Sequence, residues 1–404
     1  MNRISRMLRR GAVLIAIAGF AALGLAGPRT VLAADQKPIV IGASISLTGA
    51  YADGGKYSLQ GYELWVKEQN AKGGLLGRPI ELKTYDDQSD PAVGVRLYEK
   101  LITEDHVDLL VGPYSSALTG PATNVAERHK MPIMTTEDAA ASTFTRGYKY
   151  AFQGLPQAPR YVQSALDLAQ ARGLKKIAFV GEDTAFPHAI GASVPDSAKK
   201  MGFELVVNEY YPHNASDYAS LAQKIKVSGA EAVIAVSYPP DSIGILRALK
   251  QVAYTPKVFY EAIGPSDPQF WQNAGPDANG ILASSAWSAT LKTPGNTEFV
   301  RDFTKEYGRG PDYHSASSFS GMMVLAEAVK RAGSLDQDKI RDNLAALHLQ
   351  TLLGEYRVDP NTGLQVGYQM LLLQWQNGKQ YVVAPDAFKQ KSALYPFPGW
   401  SGAK

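Results

Sequence analysis

The sequence predicts an α/β protein folded as two lobes, and three observations carry that prediction. Short β-rich runs alternate with helical patterns, the signature of βαβ units and parallel sheets. The alternation pauses at Leu155-Pro156-Gln157-Ala158-Pro159 and then restarts. From Asn296 onward, helical stretches follow one another without strands between them. That last segment has too few strands for a sheet of its own, so it must complete an earlier lobe. The chain therefore crosses between lobes more than once, and multiple crossings form a hinge.

Ile39–Ser46 reads as a buried strand, and Tyr57–Lys72 as a helix ended by Gly73-Gly74. Ile80–Tyr85 is a strand, followed by a helix over Ala92–Thr103 and a strand over Asp108–Val111. After the loop Gly112-Pro113-Tyr114-Ser115-Ser116 comes a helix to His129, then a strand at Pro132–Thr135. The second run pairs helix Arg160–Ala171 with strand Lys176–Val180, and helix Ala189–Met201 with strand Glu204–Glu209. It continues with helix Tyr218–Lys226, strand Ala232–Val236, helix Ser242–Val252 and strand Lys257–Tyr260, with a further strand at Gly280–Ser284. Helices over Thr297–Tyr307, Ala316–Ala332 and Leu335–Leu347 precede a β-like tail, Gly354–Val358 and Tyr368–Val383. The proline-rich end, Tyr395-Pro396-Phe397-Pro398-Gly399-Trp400, is expected to pack as an irregular tail.

Charge is unevenly placed. The 404 residues carry a formal +3, yet residues 1–34 hold five arginines and no acidic residue. A basic start, an apolar run from Gly11 to Leu25 and the small-residue end Val31-Leu32-Ala33-Ala34 read as a cleavable secretory signal peptide. The run is too short to span a bilayer, which takes roughly 20 residues. Cleavage after residue 34 leaves 36 basic against 38 acidic residues, a formal −2. The mature chain thus has no net basic attraction to nucleic acid or to an anionic membrane. No other apolar run reaches spanning length. The absence of cysteine excludes disulfides, thiolate metal sites, a cysteine nucleophile and a lipid-modified N-terminal cysteine.

No catalytic motif is complete in the sequence. Gly49–Tyr57 resembles a phosphate loop only superficially: the spacing from Gly49 to Gly55-Lys56 is wrong, and Tyr57 replaces the required hydroxyl. No Gly-x-Ser-x-Gly elbow and no strand-linked Gly-x-Gly-x-x-Gly occurs. No two of the six histidines (106, 129, 188, 213, 314 and 348) lie three or four apart, so no helical metal pair exists and they read as surface or capping residues. No cofactor or metal is implied.

In open α/β sheets, ligands bind beyond the carboxyl ends of the strands. That rule selects Ser46–Tyr51, Tyr114-Ser115-Ser116 and Thr136–Ser142 in the first run. In the second it selects Glu182–Phe186, Tyr238-Pro239-Pro240 and Tyr260-Glu261-Ala262. The first set offers hydroxyls, amides and a helix start suited to a carboxylate. The second offers Phe186, Tyr238 and Glu261, suited to an apolar body or an amine. Taken singly, Ser115 could be a helix cap, Tyr238 core and Glu261 a solvated loop charge. Their joint placement points to a cleft between lobes.

With these residues in view, the chain resembles the solute-binding proteins of ABC importers, in the Leu/Ile/Val-binding (type I) group. The resemblance runs through Ile41-Gly42-Ala43-Ser44-Ile45-Ser46-Leu47-Thr48-Gly49 and the more specific Asn70-Ala71-Lys72-Gly73-Gly74-Leu75-Leu76-Gly77-Arg78-Pro79-Ile80-Glu81-Leu82. Asp86-Asp87 with Asp90-Pro91, Val111–Ser116 and Arg146-Gly147-Tyr148 keep the same order. The resemblance implies the type I periplasmic-binding-protein fold: two Rossmann-like lobes, a three-crossing hinge and a ligand trapped by closure. It divides the chain into a leader (1–34), an N-terminal lobe (35–157 plus 288–365) and a C-terminal lobe (158–287 plus 366–404). It implies that Ser115 or Ser116 and Ala139-Ala140 hold the ligand's carboxylate and amine, with Phe186 and Tyr238 as aromatic contacts and Glu261 as the acidic grip on the amine; Tyr51, from the strand-end rule, joins Phe186 and Tyr238 as a candidate contact to an aromatic ligand. One departure stands out: Glu137-Asp138 precede three alanines where the family carries a threonine-containing loop.

The function expected is capture of a branched-chain or apolar amino acid in the periplasm by a monomer, and delivery to an inner-membrane ABC permease. An aromatic or other small organic carboxylate is the alternative ligand. A secreted α/β enzyme is the third reading, disfavoured by the lack of a nucleophile or metal set.

Overall fold

The computed structural model describes residues 37–401. The expected leader lies outside the described residues.

The first run of elements is β1 (Ile39–Ile45), α1 (Ala52–Ala71), β2 (Ile80–Asp86), α2 (Pro91–Thr103), β3 (Leu109–Val111), α3 (Ser116–Arg128), β4 (Ile133–Thr135) and β5 (Ala151–Gln153). Its strands form a five-stranded parallel sheet in the order β2-β1-β3-β4-β5. The second run is α4 (Pro159–Ala171), β6 (Lys176–Glu182), α5 (Ala185–Gly191), α6 (Val194–Met201), β7 (Glu204–Tyr211), α7 (Ala219–Ser228), β8 (Ala232–Val236), α8 (Pro239–Gln251), β9 (Val258–Glu261), α9 (Phe270–Ala274) and β10 (Leu282–Ser285). Then come α10 (Asn296–Tyr307), α11 (Tyr313–Ala332), α12 (Gln337–Ala346), β11 (Leu349–Thr351), β12 (Gly354–Tyr356), β13 (Leu371–Gln376) and β14 (Lys379–Ala384). The second sheet has seven strands, β14-β13-β10-β9-β8-β6-β7. Its β13 and β14 are antiparallel additions from the end of the chain.

The late helices return to the first sheet. In α11, fifteen of twenty residues are buried, and Gly61 of α1 sits against the Ser315 backbone. The long helix therefore crosses α1 with no side chain between the two backbones. The C-terminal Phe397 and Trp400 pack on Phe259 of β9, with ring centroids 5.8 and 5.9 Å away.

Several sequence expectations need correction. α1 begins at Ala52, not Tyr57, because Gly54 and Gly55 lie inside the helix. A Cβ on Gly54 would fall 2.2 Å from the Tyr114 ring, and one on Gly55 1.9 Å from the Ser46 carbonyl oxygen. These glycines serve close packing, not a loop. The helix expected over Ala189–Met201 is two helices, with Pro195 in the first turn of the second, a position proline favours. The strand expected over Tyr368–Val383 is a hairpin turning at Asn377-Gly378, both at positive φ, a short-turn pair that favours Asn-Gly. Strand β5 was not expected at all.

Candidate functional site

The carboxyl ends of both sheets border one cavity of about 260 Å³. From the first sheet come Tyr114, Ser115 and Ser116 after β3, and Glu137 and Ala139 after β4. From the second come Phe186 of α5, Tyr238 after β8 and Ile263 after β9. Leu155, Tyr161 of α4, and Tyr313 and His314 at the start of α11 complete the wall. A wider groove of about 970 Å³ runs between α1, α10 and α11, past Trp65, Phe299 and Met323. It lies away from the strand ends and is lined from one side of the molecule only. The smaller cavity is therefore the candidate site.

Ser115 holds an unusual backbone, φ 72° and ψ 151°, for a residue with a side chain. Conformations of this kind cost on the order of 1–3 kcal/mol and cluster at functional sites. Its hydroxyl is buried without a protein hydrogen-bond partner. It caps α3, whose first N–H groups have no acceptor within the helix. An unpaired hydroxyl beside a helix N-terminus suits a carboxylate. Ser116 Oγ accepts from the Ala139 amide at 3.2 Å, tying the two strand-end loops together.

Glu137 and His314 form a buried pair. The Nδ1 of His314 lies 2.7 Å from Glu137 Oε2, and the side chains are 10% and 2% exposed. Ser317 and Ser318 donate to the other carboxylate oxygen. Tyr114 Oη is 3.2 Å from His314 Nε2. Burial pushes the Glu137 pKa up, while the field and hydrogen bond of His314 oppose the rise. Burial alone would drive the proton off His314, but Glu137, Asp312 and Asp267 more than offset that, and its pKa lies above the ordinary imidazole value. The 2.7 Å contact is the geometry of a carboxylate accepting from an imidazole Nδ1–H. Its placement is local in origin: Asp312 caps α11, accepting from the Ser315 amide at 2.9 Å, which sets Tyr313 and His314 in the first turn.

Aromatic rings from both sheets close the cavity. Tyr51, in the loop after β1, stacks 5.0 Å from Tyr238 and 5.9 Å from Tyr114. Phe186 meets Tyr161 at 5.1 Å and Tyr238 at 6.2 Å. On the outer side of Tyr51 lies the His213 ring, 5.6 Å away and bonded through Nδ1 to buried Glu182 at 2.8 Å.

Of the eight residues singled out in the sequence, Ser115, Ser116, Ala139, Phe186 and Tyr238 line the cavity. Tyr51 is a second layer behind Tyr114 and Tyr238. Ala140 is buried nearby, with its amide bonded to Asp138 Oδ1 at 2.8 Å. Glu261 is fully buried at the end of β9, and Ile263, two residues on, occupies the wall. Neither Glu261 carboxyl oxygen has a protein partner. Burial, then the field of Asp241, holds its pKa well above the ordinary value. His314 corrects the reading of all six histidines as surface or capping residues: it is core and faces the cavity. No local pattern marks it or Tyr313, which arrive from nearly 180 residues beyond Glu137. Glu137 itself was visible as the departure in the second loop.

Two mainly parallel sheets whose carboxyl ends share one cavity define a two-lobed solute-binding module. The chain belongs to the periplasmic binding protein family, whose model matches residues 38–380. It is similar to the Leu/Ile/Val-binding protein homolog 8 of Brucella abortus (strain 2308), 28% identical over 388 residues, covering 91% of this chain and 95% of that protein. Among solved structures it is similar to the branched-chain amino acid transporter substrate binding protein of Streptococcus pneumoniae in complex with isoleucine. That likeness has a TM-score of 0.79 and 24% identity, and covers 86% of this chain and all of the other. A solute binding protein of an ABC transporter from Rhodopseudomonas palustris BisB5, in complex with 3,4-dihydroxy benzoic acid, matches at TM-score 0.77 and 20% identity, covering 89% and 99%.

Proposed function

We propose that this chain is the substrate-receptor component of an ABC importer, capturing a small carboxylate between its lobes and presenting it to an inner-membrane permease. The observation that carries the reading is the cavity walled by the carboxyl ends of both sheets, with unpaired Ser115 at the start of α3. Closure around a solute held by both halves gives the permease one shape to recognise. The lobes are residues 35–157 with 288–365, and 158–287 with 366–404; the chain works in the periplasm as a monomer after loss of its leader. Ser115, Ser116 and Ala139 take the carboxylate, and Phe186, Tyr238 and Tyr51 the apolar body. Ala140 and Glu261 act from behind them.

An apolar, branched-chain amino acid is the first ligand class, supported by the naming of the relatives. An aromatic or other organic acid is the second. It is favoured by the aromatic wall and by Glu137, whose oxygens are already taken by His314, Ser317 and Ser318 and do not await an ammonium. The walls stand close together, which favours small solutes of either class.

The test is thermal shift and calorimetry on the mature protein with leucine, isoleucine, valine, benzoate and hydroxybenzoates. A true ligand at about a hundred times its Kd adds about 2.7 kcal/mol of stability. Failure of every amino acid and organic acid in such a panel to move the melting temperature overturns the reading.

A further inference from the structure

Resting on the small-carboxylate reading, we propose that the Glu137–His314–Tyr114 chain is the specificity determinant of the cavity: it presents a hydrogen-bond donor to ligand oxygen when His314 is protonated and an acceptor when it is not. The geometry allows one proton to reverse the whole chain. Nδ1–H of His314 donates to Glu137 Oε2 at 2.7 Å in both states. In the imidazolium, Nε2–H donates to Tyr114 Oη, 3.2 Å away. The Tyr114 hydroxyl proton is then released from His314 and serves a carboxylate or other oxygen acceptor. When Nε2 loses its proton, its lone pair accepts the Tyr114 hydroxyl instead, and the cavity meets only the lone pairs of Tyr114. The pair's net charge falls from zero to −1 in the same step.

Each state therefore favours a different polar group at this end of the cavity. The protonated state selects oxygen acceptors and repels an ammonium. The neutral state selects an ammonium. The departure at Glu137 thus has a physical role: it is the counter-charge that keeps a buried imidazolium inside an apolar cavity. The groups facing His314 are Glu137 after β4, Asp312 and Tyr313 on α11, Tyr114 after β3, and Asp267 before α9, with Arg309 acting on Asp267. The carboxylates outnumber the lone arginine, so the surroundings favour the cation.

The experiment is calorimetric titration of the mature protein with benzoate and with isoleucine between pH 5.5 and 8.5, where both probes keep their own charge. Benzoate affinity is expected to hold at the acid end and to fall above the His314 pKa, with a limiting slope of about tenfold per pH unit. The benzoate-to-isoleucine affinity ratio falls with it, and proton uptake on benzoate binding appears as a dependence on buffer ionisation heat. His314→Gln and Tyr114→Phe flatten the profile. A readout without ligand keeps this proposal separate from the functional reading: the His314 imidazole is followed by NMR, assigned by its loss in His314→Gln. Glu137→Gln is expected to lower its titration midpoint. Should the single variants fail to fold, Glu137→Gln combined with His314→Gln, which leaves no unpaired buried charge, carries the binding arm. A pH-independent benzoate-to-isoleucine ratio, or a His314 midpoint unmoved in Glu137→Gln, overturns the proposal. Failure of both probes to bind, with the midpoint still moving, overturns the functional reading alone.

Discussion

Gly61→Ala puts the crossing of α1 and α11 to a quantitative test. In an exposed helix interior this change gains roughly 1 kcal/mol of helix propensity. At Gly61 the new Cβ would stand 2.2 Å from the Ser315 carbonyl oxygen, where ordinary contact begins at 3.4 Å. The shortfall is the difference, 1.2 Å. The obstructing atom is backbone and cannot rotate aside, so α11 must move as a body. Overpacking of this kind costs about 1–3 kcal/mol, and a rigid backbone obstacle belongs at the top of that range. The net expectation is a loss of about 2 kcal/mol, or 2–3 °C in melting temperature at roughly 2 cal/mol/K of unfolding entropy per residue. Because α11 carries His314, Ser317 and Ser318, ligand affinity falls as well. Gly94→Ala is the matched control: it too lies within a helix and is buried, but its nearest neighbours are 3.8 Å away. It is expected to raise the melting temperature slightly and to leave binding alone. Differential scanning calorimetry of the two variants decides the matter. A Gly61→Ala protein as stable as its parent, or two variants that lose stability equally, would refute the packing argument.

Ser115→Gly relieves the left-handed strain while removing the hydroxyl, so it should raise the melting temperature and weaken ligand binding; Ser115→Ala keeps the strain and should weaken binding without stabilising. Tyr51→Ala removes ring contacts to both Tyr114 and Tyr238, each worth about 0.5–1.5 kcal/mol, and stopped-flow release should show ligand leaving about tenfold faster. Burial and then the field of Glu182 raise the Asp241 pKa from 3.8 to about 6. The folded state thus binds a proton more tightly than the unfolded, so the site favours folding below pH 4 and loses that contribution as pH rises through 6. At 1.36 kcal/mol per unit the loss is about 3 kcal/mol. Asp241→Asn should therefore be more stable than the parent at pH 7 by denaturant titration, with the difference vanishing near pH 4.

The alternation of strands and helices was legible because the central strands β1, β3, β6 and β8 are buried apolar runs and many helices begin at proline or end at glycine. What escaped was decided by distant partners. Gly54 and Gly55 look like loop residues until Tyr114 and Ser46 are seen pressed against them. Strand β5 has only three residues and owes its existence to pairing with β4. In the site, Ser115 and Tyr238 could be found by the strand-end rule. His314 could not, since it begins a helix and enters the cavity only because α11 folds back across α1. Glu261 satisfied the same rule but lies one layer deeper, because Ile263 turns toward the cavity in its place.

The order in which the elements emerge constrains how the protein can be made. All five strands of the first sheet precede Gly154, yet α11, which covers α1, begins at Tyr313. The second sheet is finished only by β13 and β14, whose last residue is Ala384. A nascent chain therefore has neither half complete until almost its whole length has been synthesised.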